Sequence, residues 1–121
     1  MPDDRQLLGA EGERVAERFL RRQGYKLLER NYRCPSGEID LIALHRGTVV
    51  FIEVKTRAQA GYGSPFEAVD RRKQRQVIRA AQRYVVEHRL HDRDLRFDVV
   101  GVWAVEGEIR CELIQHAFDI S

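Results

Sequence analysis

Residues 37–57 read GEIDLIALHRGTVVFIEVKTR, and the way this stretch pairs with itself decides the fold. Two runs of aliphatic and β-branched residues, Glu38–Leu44 and Val49–Thr56, flank a short His45-Arg46-Gly47-Thr48 turn. That is the pattern of a β-hairpin. With Arg46-Gly47 as a two-residue loop, one face pairs Ile39 with Val54, Leu41 with Ile52 and Ala43 with Val50. The other face pairs Leu44 with Val49, Ile42 with Phe51 and Asp40 with Glu53, and Glu38 lies opposite Lys55 at the end. Both faces are apolar over most of their length, which predicts a hairpin in the middle of a sheet covered on both sides.

Asp40 and Glu53 break that pattern. Facing residues in an antiparallel pair have Cβ atoms roughly 5 Å apart, and like charges at that spacing destabilise a sheet. A divalent cation between them removes the conflict, because hard ions such as Mg²⁺ take carboxylate oxygens and keep several waters. Lys55 stands two residues beyond Glu53 on the same face. Only three of the 21 basic residues are lysines (Lys26, Lys55 and Lys73), so lysine is not this chain's default cation. Its compact ammonium suits orienting a water better than a guanidinium does. The plainer alternative is a structural ion pair between Lys55 and Asp40 or Glu38 at a wet end of the sheet. An acid followed two residues later by lysine usually means no more than that; the two facing acids on an apolar hairpin shift the balance.

Upstream, Leu7 to Gln23 reads as a helix, with Leu8, Val15, Ala16, Phe19 and Leu20 at helical spacing and Gly24 as the stop. Glu13 falls at the margin of that apolar stripe, where an acid is either an exposed boundary residue or one aimed at the carboxylate pair. Tyr25 to Arg33 reads as a strand, closed by Cys34-Pro35-Ser36-Gly37. Downstream, Ala58–Pro65 reads as a loop and Phe66–Arg89 as a long helix. Arg96–Val105 and Glu108–Ile114 complete the sheet around a Glu106-Gly107 turn. The order is α-β-β-β-α-β-β.

The chain has 121 residues, which suits one domain over 1–121 with about residues 1–6 flexible. No apolar run approaches the roughly 20 residues of a membrane helix. The start, Met1-Pro2-Asp3-Asp4-Arg5, is acidic where an export signal is basic. Cys34 and Cys111 stand apart from each other and from ligand-spaced histidines, as reduced cytoplasmic thiols do. Charge is uneven. Residues 71–96 hold nine basic and three acidic side chains, against a whole-chain net of +2. Such a segment is either a solvated helix face or a surface for a polyanion. Within it Arg72, Arg75, Arg79 and Arg83 form one stripe, and Val77, Ala80, Ala81, Tyr84 and His88 form the opposite one. Lys73 extends the apolar side and so points inward near the helix start. Asp98, among apolar strand residues, has no evident role.

A helix bearing Glu13, then Gly37-Glu38-Ile39-Asp40, then Glu53-Val54-Lys55 after an apolar strand resembles the PD-(D/E)xK nuclease superfamily, with Ile39 where many members have proline. Over nearly the whole chain, Gly9-x-x-Gly12-Glu13-x-x-Ala16, Asn31, Gly37–Ile42, Phe51–Lys55 with Arg57, Lys73, Arg96–Val100 and Ala117-Phe118 resemble the YraN family. The layout is also similar to that of archaeal-type Holliday-junction resolvases.

These resemblances imply a restriction-endonuclease-like α-β-β-β-α-β core in three layers, with a mixed central sheet and helices on both faces. They imply a site in which Asp40 and Glu53, with Glu13, hold Mg²⁺ or Mn²⁺ and Lys55 serves the hydrolysis of a phosphodiester. DNA is the expected partner, ahead of RNA, with branched or junction DNA among its expected forms. Arg57, Lys73, Arg72, Arg75 and Arg79 are candidate contacts to it, and a homodimer is expected wherever two cuts are paired. Two other readings stay open: a non-catalytic nucleic-acid-binding module of the same fold, and a small α/β interaction protein whose charge cluster is structural.

Overall fold

The computed structural model describes the backbone of residues 4–57 and 70–119, and side chains within 11–56, 70–104 and 106–119. The loop read at Ala58–Pro65, the helix start read at Phe66 and the side chain of Arg57 lie outside the described residues. The elements are α1 (Asp4–Arg22), β1 (Lys26–Cys34), β2 (Gly37–His45), β3 (Thr48–Arg57), α2 (Arg71–Glu87), β4 (Leu95–Val105) and β5 (Glu108–Phe118). The order of types matches the expected α-β-β-β-α-β-β. No helix among the described residues is long and apolar enough to cross a membrane.

The five strands form one sheet in sequence order, β1-β2-β3-β4-β5. Hairpins make β1–β2, β2–β3 and β4–β5 antiparallel. The chain passes through α2 between β3 and β4, and that crossover makes this one pair parallel. The β2–β3 hairpin is therefore interior, with β1 and β5 at the edges. Its turn has Arg46 at φ 51 and Gly47 at φ 84. Two consecutive positive φ values match the twist of a two-residue hairpin loop, and the register follows: Leu44 faces Val49, Ile42 faces Phe51 and Leu41 faces Ile52.

Strand alternation divides the interior into two cores. Ile42, Val49, Phe51, Phe97 and Val99 pack with Val77, Ala80, Ala81 and Tyr84 of α2. Leu41, Ala43, Val50, Ile52, Val100 and Val102 pack with Ala16 and Leu20 of α1. A mixed sheet with one helix for each core fits a three-layer α/β architecture.

Three local expectations are corrected. Ile39 was placed on the face of Leu41 and Ala43, yet it lies in the α2-side core with Ile42. The simple alternation therefore does not hold between residues 39 and 42. α1 starts at Asp4, three residues before the Leu7 read from the sequence. α2 starts at Arg71, because Asp70 is extended (φ −76, ψ 173) and caps the helix by accepting the Lys73 N–H at 2.8 Å. It stops at Glu87, and Arg89 adopts φ 53 beyond it.

Candidate active site

The hairpin ladder has its last Cα pair at Leu41 and Ile52, one position short of the expected Asp40–Glu53 pair. Instead of facing Glu53 as a simple rung, Asp40 accepts the main-chain N–H of Val54 on Oδ2 at 2.8 Å. Its carboxyl pKa is raised, first by burial and then by Glu38, while the Val54 N–H, Lys73 and Lys55 pull it down. Glu38 itself pairs with Arg33 of β1, Nε to Oε2 at 3.4 Å, rather than facing Lys55 as the hairpin register implied.

Glu53 is the more constrained acid. It is 2% exposed, follows the apolar run Val49–Ile52, and meets Lys73 of α2, Nζ to Oε2 at 3.6 Å. Its other oxygen, Oε1, is buried with no hydrogen-bond partner among the described residues. Burial pushes its pKa up to about 7 and the Asp40 charge adds to the rise, with Lys73 and Lys55 opposing it. A buried carboxylate with an unserved oxygen is costly, and the cost is removed by a proton or by a cation. Asp40, Glu53, Lys55 and Lys73 thus form one electrostatic cluster.

Two glycines let the helices close on it. A Cβ on Gly12 would lie 2.7 Å from Thr56 Cγ2, so the missing side chain is what allows α1 to rest against β3. The next residue is Glu13, which is exposed yet close enough to the cluster for Asp40 and Glu38 to add to the desolvation that raises its pKa. A Cβ on Gly37 would lie 2.8 Å from the main-chain oxygen of Gln76, so β2 meets the α2 backbone three residues beyond Lys73. Residue-type patterns carried no sign of these two contacts: Gly12 entered only as a match to a family motif, and Gly37 as that and as a turn residue.

Among the described residues no three Asp, Glu, His or Cys side chains gather as a ready ligand group. Asp40 and Glu53 are the carboxylates that could meet an ion here, and exposed Glu13 shares their electrostatic field. Two carboxylates plus waters suit Mg²⁺ or Mn²⁺, which bind through one or two carboxylates and keep much of their hydration. The unserved Oε1 of Glu53 fits this role, and the Lys73 ammonium holds part of the same position electrostatically.

The expected nucleic-acid contacts separate. Lys73 turns inward to Glu53. Arg72, Arg75 and Arg79 are exposed on α2. Arg83, read as part of the same stripe, donates to Glu87 Oε1 at 2.9 Å, and Glu87 also accepts from Tyr32. The Arg83 charge is thereby neutralised locally.

Asp98, whose role the sequence left open, is fully buried in a satisfied network. It accepts from Tyr25 Oη at 2.7 Å, Arg96 Nε at 2.9 Å and the His116 N–H at 3.0 Å. His45 stacks on Tyr25 with ring centroids 4.1 Å apart, and its Nδ1 lies 3.0 Å from an Arg96 nitrogen. Burial and the Arg96 charge hold the His45 pKa below its usual value. This cluster ties β2, β4 and β5 to Tyr25, the residue just before β1. The available signal was Arg96 two residues before Asp98, on one face of an otherwise apolar strand.

Residues 12–102 match the family described as Uncharacterised protein family UPF0102, and the chain belongs to it, as the YraN resemblance implied. A UPF0102 protein of Syntrophotalea carbinolica is 48% identical, over 93% of this chain and 92% of its own length. One from Caldanaerobacter subterraneus is 39% identical over 93% of each. One from Beutenbergia cavernae is 50% identical over 78% of this chain and 80% of its own. The family designation names no activity.

Proposed function

We propose that this UPF0102 member is a metal-dependent nuclease that hydrolyses phosphodiester bonds in DNA, with branched or junction DNA the form suggested by its likeness to the resolvases. The observation that carries the reading is Glu53: a buried strand carboxylate with one oxygen unserved among the described residues, its pKa raised by the nearby Asp40 charge.

Asp40 and Glu53, with the Val54 carbonyl, would hold Mg²⁺ or Mn²⁺, and Glu13 would fix a water of the same site. The bound ion supplies charge neutralisation at the phosphate and a more acidic water. Lys55 orients the attacking water and stabilises the charge that develops on phosphate oxygens. Lys73 opposes the rise that burial and Asp40 force on the Glu53 carboxyl, which stands at about 7. One chain carries one such site, so paired cuts in a duplex or junction call for a symmetric homodimer. The free thiols Cys34 and Cys111 suit a cytoplasmic setting.

The test is incubation of the protein with branched, flapped and single-stranded DNA, and with RNA, each with and without Mn²⁺. Mn²⁺-dependent cleavage by wild type that is lost in Asp40→Asn supports the reading. Binding without cleavage under every condition returns the protein to a non-catalytic module of the same fold. The Lys73–Glu53 ion pair favours a second reading, a structural cluster in an interaction protein. That reading requires indifference to both metal and nucleic acid.

A further inference from the structure

α2 carries its charges against its own field. Its first three residues are Arg71, Arg72 and Lys73, with no acid in that turn, and its last turn ends in Glu87 with no basic residue. Aligned peptide dipoles leave a helix start positive and its end negative, so acids are favoured at the start and cations at the end. Here the last turn is reversed, and at the start the Asp70 cap alone stands against three consecutive cations. Most of these groups have found partners. Glu87 is held by Arg83 and Tyr32, Lys73 faces Glu53, and Asp70 is occupied as the N-cap. Arg71 and Arg75 have no ion pair or side-chain hydrogen bond with any described residue.

Those two arginines, one turn apart, open onto a single cleft of about 390 Å³ whose other walls are Gln74, Ile78 and Asp119. The Asp119 carboxylate is paired with His116 Nε2 at 2.7 Å. At about 30 Å³ per water, the cleft takes a phosphate group with its hydration. Two guanidinium forks supply the geometry that matches phosphate oxygens. Residues two apart on a helix point to nearly opposite sides. The same two turns therefore give Lys73 to the carboxylate cluster and Arg71 and Arg75 to the cleft.

We infer that Arg71 and Arg75 anchor the phosphodiester backbone of a DNA strand, gripping a phosphate other than the one cleaved at Asp40 and Glu53. The inference rests on the nuclease reading and adds where the strand lies: across the start of α2 rather than along its whole arginine stripe. A polyanion there also relieves the crowding of cations at the helix start.

The test is fluorescence anisotropy of a labelled DNA duplex in EDTA, across a salt series. Arg71→Gln/Arg75→Gln weakens binding roughly tenfold or more and lowers the slope of log affinity against log salt by about one, for the single phosphate the pair holds. Arg18→Gln/Arg22→Gln, which removes the same charge from exposed positions on α1, leaves both nearly unchanged. Equal losses in the two double variants, no loss in the cleft variant, or no duplex binding by wild type would overturn the anchor. Displacement of the duplex by an equal concentration of inorganic phosphate would also overturn it, by making the cleft a site for the free ion. Stabilisation by Mn²⁺ reads Asp40 and Glu53 without DNA. A failed anchor beside an intact Mn²⁺ response therefore removes this inference alone, and a lost Mn²⁺ response in wild type removes the nuclease reading.

Discussion

The main-chain N–H of Val54 donates to Oδ2 of Asp40 at 2.8 Å, just past the last paired rung of β2 and β3. A side-chain acceptor here serves a backbone donor beyond the paired ladder, so the residue that begins the site also helps to satisfy the strand beside it. Asparagine keeps an oxygen that can accept this bond and removes the charge. Alanine removes both. At 25 °C, Asp40→Ala is expected to be less stable than Asp40→Asn by about 1–3 kcal/mol, the cost of a buried donor left unserved. Urea unfolding of the two variants without metal checks this, and equal midpoints would deny the bond a structural role.

Gly37 is expected to be the more sensitive of the two close-approach glycines. In Gly37→Ala the new Cβ meets the Gln76 main-chain oxygen at 2.8 Å, and helix backbone yields little. A loss of about 1–3 kcal/mol follows from overpacking of this kind. In Gly12→Ala the obstacle is the Thr56 methyl at 2.7 Å, which can rotate away on an exposed residue, so the loss is smaller. Chemical denaturation of both variants ranks them, and the reverse order would contradict the contact assignment.

The Glu53 carboxyl rises from 4.5 unfolded to about 7 folded. Between those values the folded state binds more protons than the unfolded one, so linkage makes the metal-free protein lose stability as pH rises through that window. The full effect is on the order of 3 kcal/mol. Glu53→Gln removes this contribution and should flatten the profile between about pH 5 and 8. Some slope remains, because Asp40 and Glu13 are shifted in the same direction. Thermal melts in EDTA across that range check it; parallel profiles for the two proteins would mean Glu53 is not strained.

Asp98 is as buried as Glu53 but fully served, and the two should behave oppositely. Asp98→Ala leaves Arg96, Tyr25 and the His116 N–H without their shared acceptor. The expected loss is about 3 kcal/mol, at the low end for a broken buried pair because the Arg96 side chain keeps 17% exposure. Its response to Mn²⁺ should be intact. Loss of that response with the fold retained would place Asp98 in the site.

Much of the fold was legible from residues 37–57, because a two-residue turn and alternating apolar positions fix the register locally. The site was legible up to that register. Its details depend on tertiary contacts that no spacing reports: the turn of Ile39 into the α2-side core, the Val54 N–H taken by Asp40, and the helix backbone against Gly37. The Arg83–Glu87 pair is at i,i+4 and was open to a reading of spacing, whereas the Tyr32 hydroxyl that joins it comes from a distant strand. Arg71 was passed over because the helix was read as starting five residues earlier, which hid its place in the first turn.

The central claim, that Asp40 and Glu53 form a cation site, is tested most directly by thermal melts of wild type and Asp40→Asn, each in EDTA and in Mn²⁺. If the two carboxylates await a cation, wild type in EDTA holds uncompensated repulsion. Asp40→Asn should then be more stable than wild type in EDTA by about 0.5–2 kcal/mol, the usual gain when a strained functional site is relieved. Mn²⁺ should raise the melting temperature of wild type by preferential binding to the folded state, and leave Asp40→Asn where it was. A wild type indifferent to Mn²⁺, beside a variant destabilised in EDTA, would show the cluster to be a structural ion-pair network and contradict the metal site.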